Sequence, residues 1–162
     1  MGDYMNKKGI MIFTLMLTLF LMLGSVNASL VEHNFDNDFS MEVPSDSNFV
    51  LQPIQDDEDA SIMGNEKVYL DENNLLFVLF VEGSMISDDN VDGLYEYIFE
   101  VINSGITNYW ESQSDGMKVF KPKGHTDEYF SMVGTHSGNK TVIVFGDDTS
   151  LLIKMTNTTK FN

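Results

Sequence analysis

Seven consecutive apolar residues, Leu75-Leu76-Phe77-Val78-Leu79-Phe80-Val81, constrain this chain more than any other segment. A strand sends successive side chains to opposite faces, so a run with no polar position has to be covered on both. Such a strand belongs in the middle of a sheet with a packing layer on each side, and a buried helix is the alternative that periodicity alone leaves open. Val68-Tyr69-Leu70 comes just before it, and Asp71-Glu72-Asn73-Asn74 separates the two with four polar residues. That is the pattern of a strand, a turn and a second strand.

The rest of the chain supplies candidates for the covering layers. Apolar side chains recur at Val91, Leu94, Tyr95, Ile98, Phe99 and Ile102, while Asp89, Asp92, Glu96, Glu100 and Asn103 fall on the other face, which predicts an amphipathic helix. Asp88 or Asp89 can cap its start, Gly105 can end it, and carboxylates in the first turns suit its positive end. Residues 106–110 and 117–120 flank Asp115-Gly116, a hairpin signal. Residues 129–136 and 141–145 flank Ser137-Gly138-Asn139-Lys140, a second one. Leu151, Leu152 and Met155, with Thr159 in line, are spaced for a short C-terminal helix capped by Asp148 or Thr149. Upstream, Phe35, Phe39, Met41 and Val43 alternate with polar residues and read as one half-buried strand closed by Pro44. Residues 49–59, with Pro53 and Asp56-Asp57-Glu58-Asp59, read as a solvated loop. The order strands, helix, strands, helix predicts an α+β fold: an antiparallel sheet with one long helix and a short C-terminal helix packed on it. With neither an internal repeat nor a linker, residues 29–162 read as a single acidic domain.

The opening Phe39-Ser40-Met41-Glu42-Val43-Pro44, a hairpin, one long helix and the strand Val142-Ile143-Val144-Phe145-Gly146-Asp147-Asp148 before a short helix ending in Lys160-Phe161 resemble the PsbP/Mog1-like superfamily. The same strand, Gly-Asp and helix ending is similar to that of uncharacterised secreted proteins of methanogenic archaea. The resemblance spans residues 35–161 and rests on hydrophobicity and turns. It implies the α+β fold and a binding or assembly role, and it brings no catalytic residue with it.

The N-terminus reads as an export signal. Lys7 and Lys8 precede an apolar stretch, residues 10–23, and Val26 and Ala28 put small side chains where a signal peptidase needs them. Residues 1–28 are therefore expected to be a signal peptide cleaved after Ala28. The alternative is a retained membrane anchor, for which the apolar run falls short of the ~20 residues of a spanning helix. With no cysteine in the chain, an exported domain has to hold together by its core. A 43% hydrophobic content is enough to build one. The chain has a net charge of -16, and the leader contributes Asp3, Lys7 and Lys8, a net +1, so the remainder carries -17. All nine basic residues are lysine. Such a surface repels phosphate backbones and excludes nucleic acid as a partner. Weak cation association, an envelope protein or a basic polymer fits it, and membrane contact requires the leader to be retained. The sequence names no particular partner.

Catalytic and cofactor signatures are missing. Gly83-Ser84 lacks the second glycine of a nucleophile turn. The chain also has no phosphate loop and no arginine for phosphoryl chemistry. Paired carboxylates are too abundant in an acidic chain to mark a glycosidase. The metal-ligating candidates are His33, His125 with Asp127, and His136, and the hard-oxygen candidates are Asp36-Asn37-Asp38 and Asp56-Asp57-Glu58-Asp59. None has the spacing of a defined site. Tyr95, Tyr97, Tyr109 and Trp110 can form an aromatic platform, but Tyr95 and Trp110 read as core and Tyr97 as the exposed one. Asn139-Lys140-Thr141 and Asn157-Thr158-Thr159 match the glycosylation acceptor pattern. The expectation is a non-enzymatic, extracytoplasmic binding or envelope-associated domain without a cofactor. A calcium- or metal-responsive secreted protein and an envelope-polymer hydrolase are the alternatives.

Overall fold

The computed structural model describes residues 29–53, 65–84, 86–103, 106, 108–123 and 129–162. In chain order its elements are β1 (Leu30–Phe35), β2 (Phe39–Pro44), β3 (Phe49–Gln52), β4 (Asn65–Asp71), β5 (Leu76–Glu82), α1 (Val91–Ile102), β6 (Tyr109–Ser114), β7 (Met117–Pro122), β8 (Ser131–Ser137), β9 (Lys140–Gly146), α2 (Thr149–Asn157) and β10 (Lys160–Phe161). They build a seven-stranded sheet ordered β3-β4-β5-β9-β8-β7-β6 and a three-stranded sheet ordered β1-β2-β10. Every pairing is antiparallel, so the α+β reading holds.

β5 lies inside the large sheet between β4 and β9, where an all-apolar strand has to be. Its side chains alternate between two cores. Leu76, Val78 and Phe80 face the small sheet and α2, together with Phe35, Phe39, Met41, Leu152 and Met155. Phe77 and Val81 face α1, together with Val91, Tyr95, Ile98 and Phe99. The molecule is thus layered: α1 on one face of the large sheet, α2 and the small sheet on the other. Tyr95 shows how closely α1 seats. Its ring lies on Gly134, where an added Cβ would come within 2.7 Å of the ring, so any larger residue displaces it. The Thr141 hydroxyl donates to the Thr135 carbonyl at 2.9 Å, which leaves the Tyr95 phenol to donate to Thr141 Oγ1 at 2.8 Å. This satisfies both groups in a buried position.

The turns follow local chemistry. Asp115 (φ 50) and Gly116 (φ 79) take consecutive positive φ angles, as a two-residue hairpin favours. Gly138 (φ 60) opens the β8–β9 turn. Asp148 caps α2 by accepting from the Ser150 and Leu151 amides.

Several expectations need correction. The single opening strand is a hairpin: β1 and β2 are joined through Asp36 (φ 52) and Asn37 (φ 64), residue types that tolerate the left-handed region. The start of the expected 49–59 loop is β3, paired with β4 through residue 52. Val50 and Leu51 stay about half exposed there, so no burial pattern announces the strand. Asn90, not Asp88 or Asp89, stands at the N-cap of α1, and its side chain accepts from the Ser87 amide instead of capping. The helix ends at buried Asn103, which bonds to Phe99 and to both backbone groups of Phe130. Gly105 lies outside the described residues. The strand expected from residue 106 begins at Tyr109. The C-terminal helix stops at Asn157, and Lys160 and Phe161 instead pair with Ser40 and Phe39 of β2. Thr158 makes that switch by donating to the Met155 carbonyl at 2.7 Å and accepting from the Glu42 amide at 2.8 Å.

Candidate binding surface

The sequence-derived candidates do not converge. His33 packs edge-on against Phe35, with centroids 4.5 Å apart, in the small sheet. His136 Nε2 lies 2.8 Å from Asp88 Oδ1 on the far side of the large sheet. Asp36 and Asp38 turn toward Lys67, whose Nζ is 2.6 Å from Asp38 and 3.8 Å from Asp36. Asp36 also accepts from the Tyr69 hydroxyl at 3.0 Å. These carboxylates tie the β1–β2 turn to β4. Ala28, Asp56-Asp57-Glu58-Asp59, His125 and Asp127 lie outside the described residues. Among the described residues no group of three potential metal ligands forms.

Asn139 and Asn157 are both exposed, but the hydroxyl residues that complete their triplets are not. Thr141 is fully buried and engaged by Tyr95 and Thr135, and Thr159 Oγ1 is buried without a hydrogen-bond partner. A shallow cavity of about 190 Å³ is lined by Asn48, Val50, Gln52, Leu70, Glu72 and Asn73. It falls below the ~300–1,000 Å³ of a small-molecule site.

The aromatic residues divide differently from expectation. Tyr95 is buried and Tyr97 is 46% exposed, as anticipated. Trp110, expected in the core, is 64% exposed. The reason is topological: among the described residues β6 is an edge strand, and α2 packs over β7, β8, β9 and β2. Lys123 Nζ sits 4.1 Å above the centre of the indole, a cation–π contact that orients the ring without covering it.

On the opposite face of β6, Tyr109 packs against Phe99 and Phe120, with centroids 5.0 and 5.7 Å away. Its phenol is pushed above the ordinary tyrosine range, first by desolvation and then by the carboxylates of Glu96, Glu100 and Glu111. Lys118 reaches Glu111 at 2.7 Å and Asp92 at 3.0 Å, and those carboxylates hold its ammonium above the usual lysine value. Glu96 and Glu100 make no ion pair among the described residues. The edge at β6 therefore has an aromatic, lysine-flanked side and a carboxylate-lined side. The exposure of Trp110 escaped sequence reasoning because edge position is set by distant pairings.

The layered antiparallel arrangement defines an α+β protein with helices on both faces of its main sheet. Its structure is similar to the solution structure of cyanobacterial PsbP (CyanoP) from Synechocystis sp. PCC 6803, at 12% identity and a TM-score of 0.48, over 87% of this chain and 97% of that one. No family model and no curated protein matches the chain.

Proposed function

We propose that this chain is an exported, non-enzymatic domain that binds a partner outside the cytoplasmic membrane, with Trp110 at the centre of its contact surface. The observation that carries the reading is the 64% exposure of Trp110. A large aromatic left in water on a sheet edge is the residue type that dominates binding energy when a partner covers it. The leader-like residues 1–28 and the strong negative charge support export and solubility. No helix among the described residues is long and apolar enough to cross a membrane.

Capture from the envelope fraction of the producing cells tests this. The wild-type protein should retain a partner, and Trp110→Ser should reduce retention by at least ~10-fold, as loss of a central aromatic does. Equal retention by both proteins removes Trp110 from the interface. Capture of nothing by the wild type overturns the binding role. The intact mass of the exported protein should match a chain starting at Ser29, and a chain starting at Met1 or Met5 refutes removal of the leader. Titration with calcium or zinc should leave the melting temperature unchanged, because a ligand held only by the folded state would raise it.

A further inference from the structure

We propose that β6 is a receptor strand: an extended, lysine- or arginine-rich segment of a partner protein pairs with it as an added edge strand of the large sheet, beside the carboxylates of α1. This rests on the binding role above and names the partner's chemistry.

The register of the β6–β7 hairpin decides which backbone groups are available. Ser114 pairs with Met117 across the two-residue Asp115-Gly116 turn, so this pair is hydrogen-bonded and pairs alternate along the ladder. The hydrogen-bonded set is then Ser114–Met117, Ser112–Val119 and Trp110–Lys121. The 2.9 Å bond from the Lys123 amide to the Asn108 carbonyl continues the alternation. It follows that the N–H and C=O groups of Tyr109, Glu111 and Gln113 point away from β7, toward an edge that no strand among the described residues covers. Pro122, which has no amide hydrogen, lies opposite Tyr109 at a position where none is needed.

Proteins usually blunt such an edge by shortening it or ending it with proline. The opposite edge of the same sheet shows both devices: β3 has four residues and Pro53 follows it. β6 has six residues and no proline.

The flanks select the occupant. On the α1 side the incoming strand lies beside Glu111, which shares that face with Phe120, and within the field of Glu96 and Glu100, whose charges act on Tyr109; of the three, only Glu111 is paired with a lysine among the described residues. On the other side it lies beside Trp110. Because side chains alternate across a strand, the matching segment carries Lys or Arg at every second position and apolar residues between them. A second copy of this chain fits poorly. Pairing β6 with itself would bring two carboxylate-lined flanks together in a chain of net charge -16.

Trp110 is the chain's one tryptophan, so its fluorescence reports directly on this edge. The exported protein is titrated with an alternating Lys-Val octapeptide, a Lys-block–Val-block peptide of the same composition, and an alternating Glu-Val peptide. The alternating Lys-Val peptide should shift the Trp110 emission and slow amide exchange at Tyr109, Glu111 and Gln113 by at least ~10-fold; the other two peptides should do neither. Gln113→Pro should abolish the effect by removing an outward amide. Glu96→Lys combined with Glu100→Lys, which breaks no side-chain hydrogen bond among the described residues, should weaken the peptide at least ~10-fold while leaving melting unchanged.

Each of the following results overturns the proposal. Equal binding of the block peptide, or binding with unchanged exchange at the three amides, shows charge attraction without strand pairing. Amides already protected in the free protein show that another segment or a second copy occupies the edge. Absence of any response to the alternating Lys-Val peptide rejects the occupant. Envelope capture by wild type and Gln113→Pro alike would discard the edge and leave the binding role standing.

Discussion

Asp71 is fully buried, and its carboxylate is tolerated there because three donors meet it: the Asn48 amide at 3.2 Å, the Asn73 amide at 3.1 Å and the Asn74 side chain at 2.8 Å. Asn73 and Asn74 also bond to Asp46 and Ser47, so one side chain anchors the β2–β3 connection to the β4–β5 turn. Replacing Asp71 with Ala strands these donors in a largely dry site and should cost about 3 kcal/mol, a sizeable share of the ~5–15 kcal/mol that holds a domain folded. Asp71→Asn, which keeps one acceptor oxygen, should cost less. Urea unfolding checks both, and a loss under about 1 kcal/mol for the alanine variant would remove Asp71 from this role. The sequence showed Asp71 only as the first polar residue of a turn. Its burial comes from the segment of residues 46–48 folding over it.

At the level of elements, α2 and β10 act as a joint closure. Leu152 and Met155 are buried against the large sheet, Phe161 packs on the same core, and β10 completes the small sheet by pairing with β2. Burying a Leu and a Met contributes roughly 1.5–3 kcal/mol each, and the lost ladder and Phe161 add to that. Deleting residues 149–162 should therefore abolish the cooperative melt followed by circular dichroism, and an unchanged transition would show that the segment is dispensable. The amphipathic stripe of α2 and a cap at Asp148 or Thr149 were legible because both are local, and the structure assigns the cap to Asp148. β10 was not, since two residues carry no periodicity and their partner in β2 lies far away in sequence. β3 was missed for a related reason: an edge strand with half-exposed valine and leucine resembles a loop until its neighbour is known.

Across the whole molecule, the tyrosines and lysines at the joints between layers shift upward, whereas Glu32, bonded to Lys160 within the small sheet, shifts down. Burial pushes the phenols of Tyr95 and Tyr69 up, with Asp36 adding to Tyr69. Asp38 raises Lys67, and Glu111 raises Lys118. A group whose pKa is higher folded than unfolded gives stability that is complete below its unfolded value and lost as pH rises through the folded one. The melting temperature should therefore hold to about pH 10, the ordinary tyrosine value, and fall above it. Tyr95→Phe should make that fall shallower. An alkaline melting profile with no decline, or with the same slope in the variant, refutes the assignment. What the sequence determined by itself is what short-range periodicity and turn chemistry encode: the twice-covered β5, the two amphipathic helices, the Asp115-Gly116 and Gly138-Asn139 turns, and hence an α+β fold. Only the tertiary structure decided that β10 closes the small sheet, that Asp71 is buried and that Trp110 stands exposed. Those outcomes depend on which distant segments pair and where the covering layers end, and neither is written in the residues of any single element.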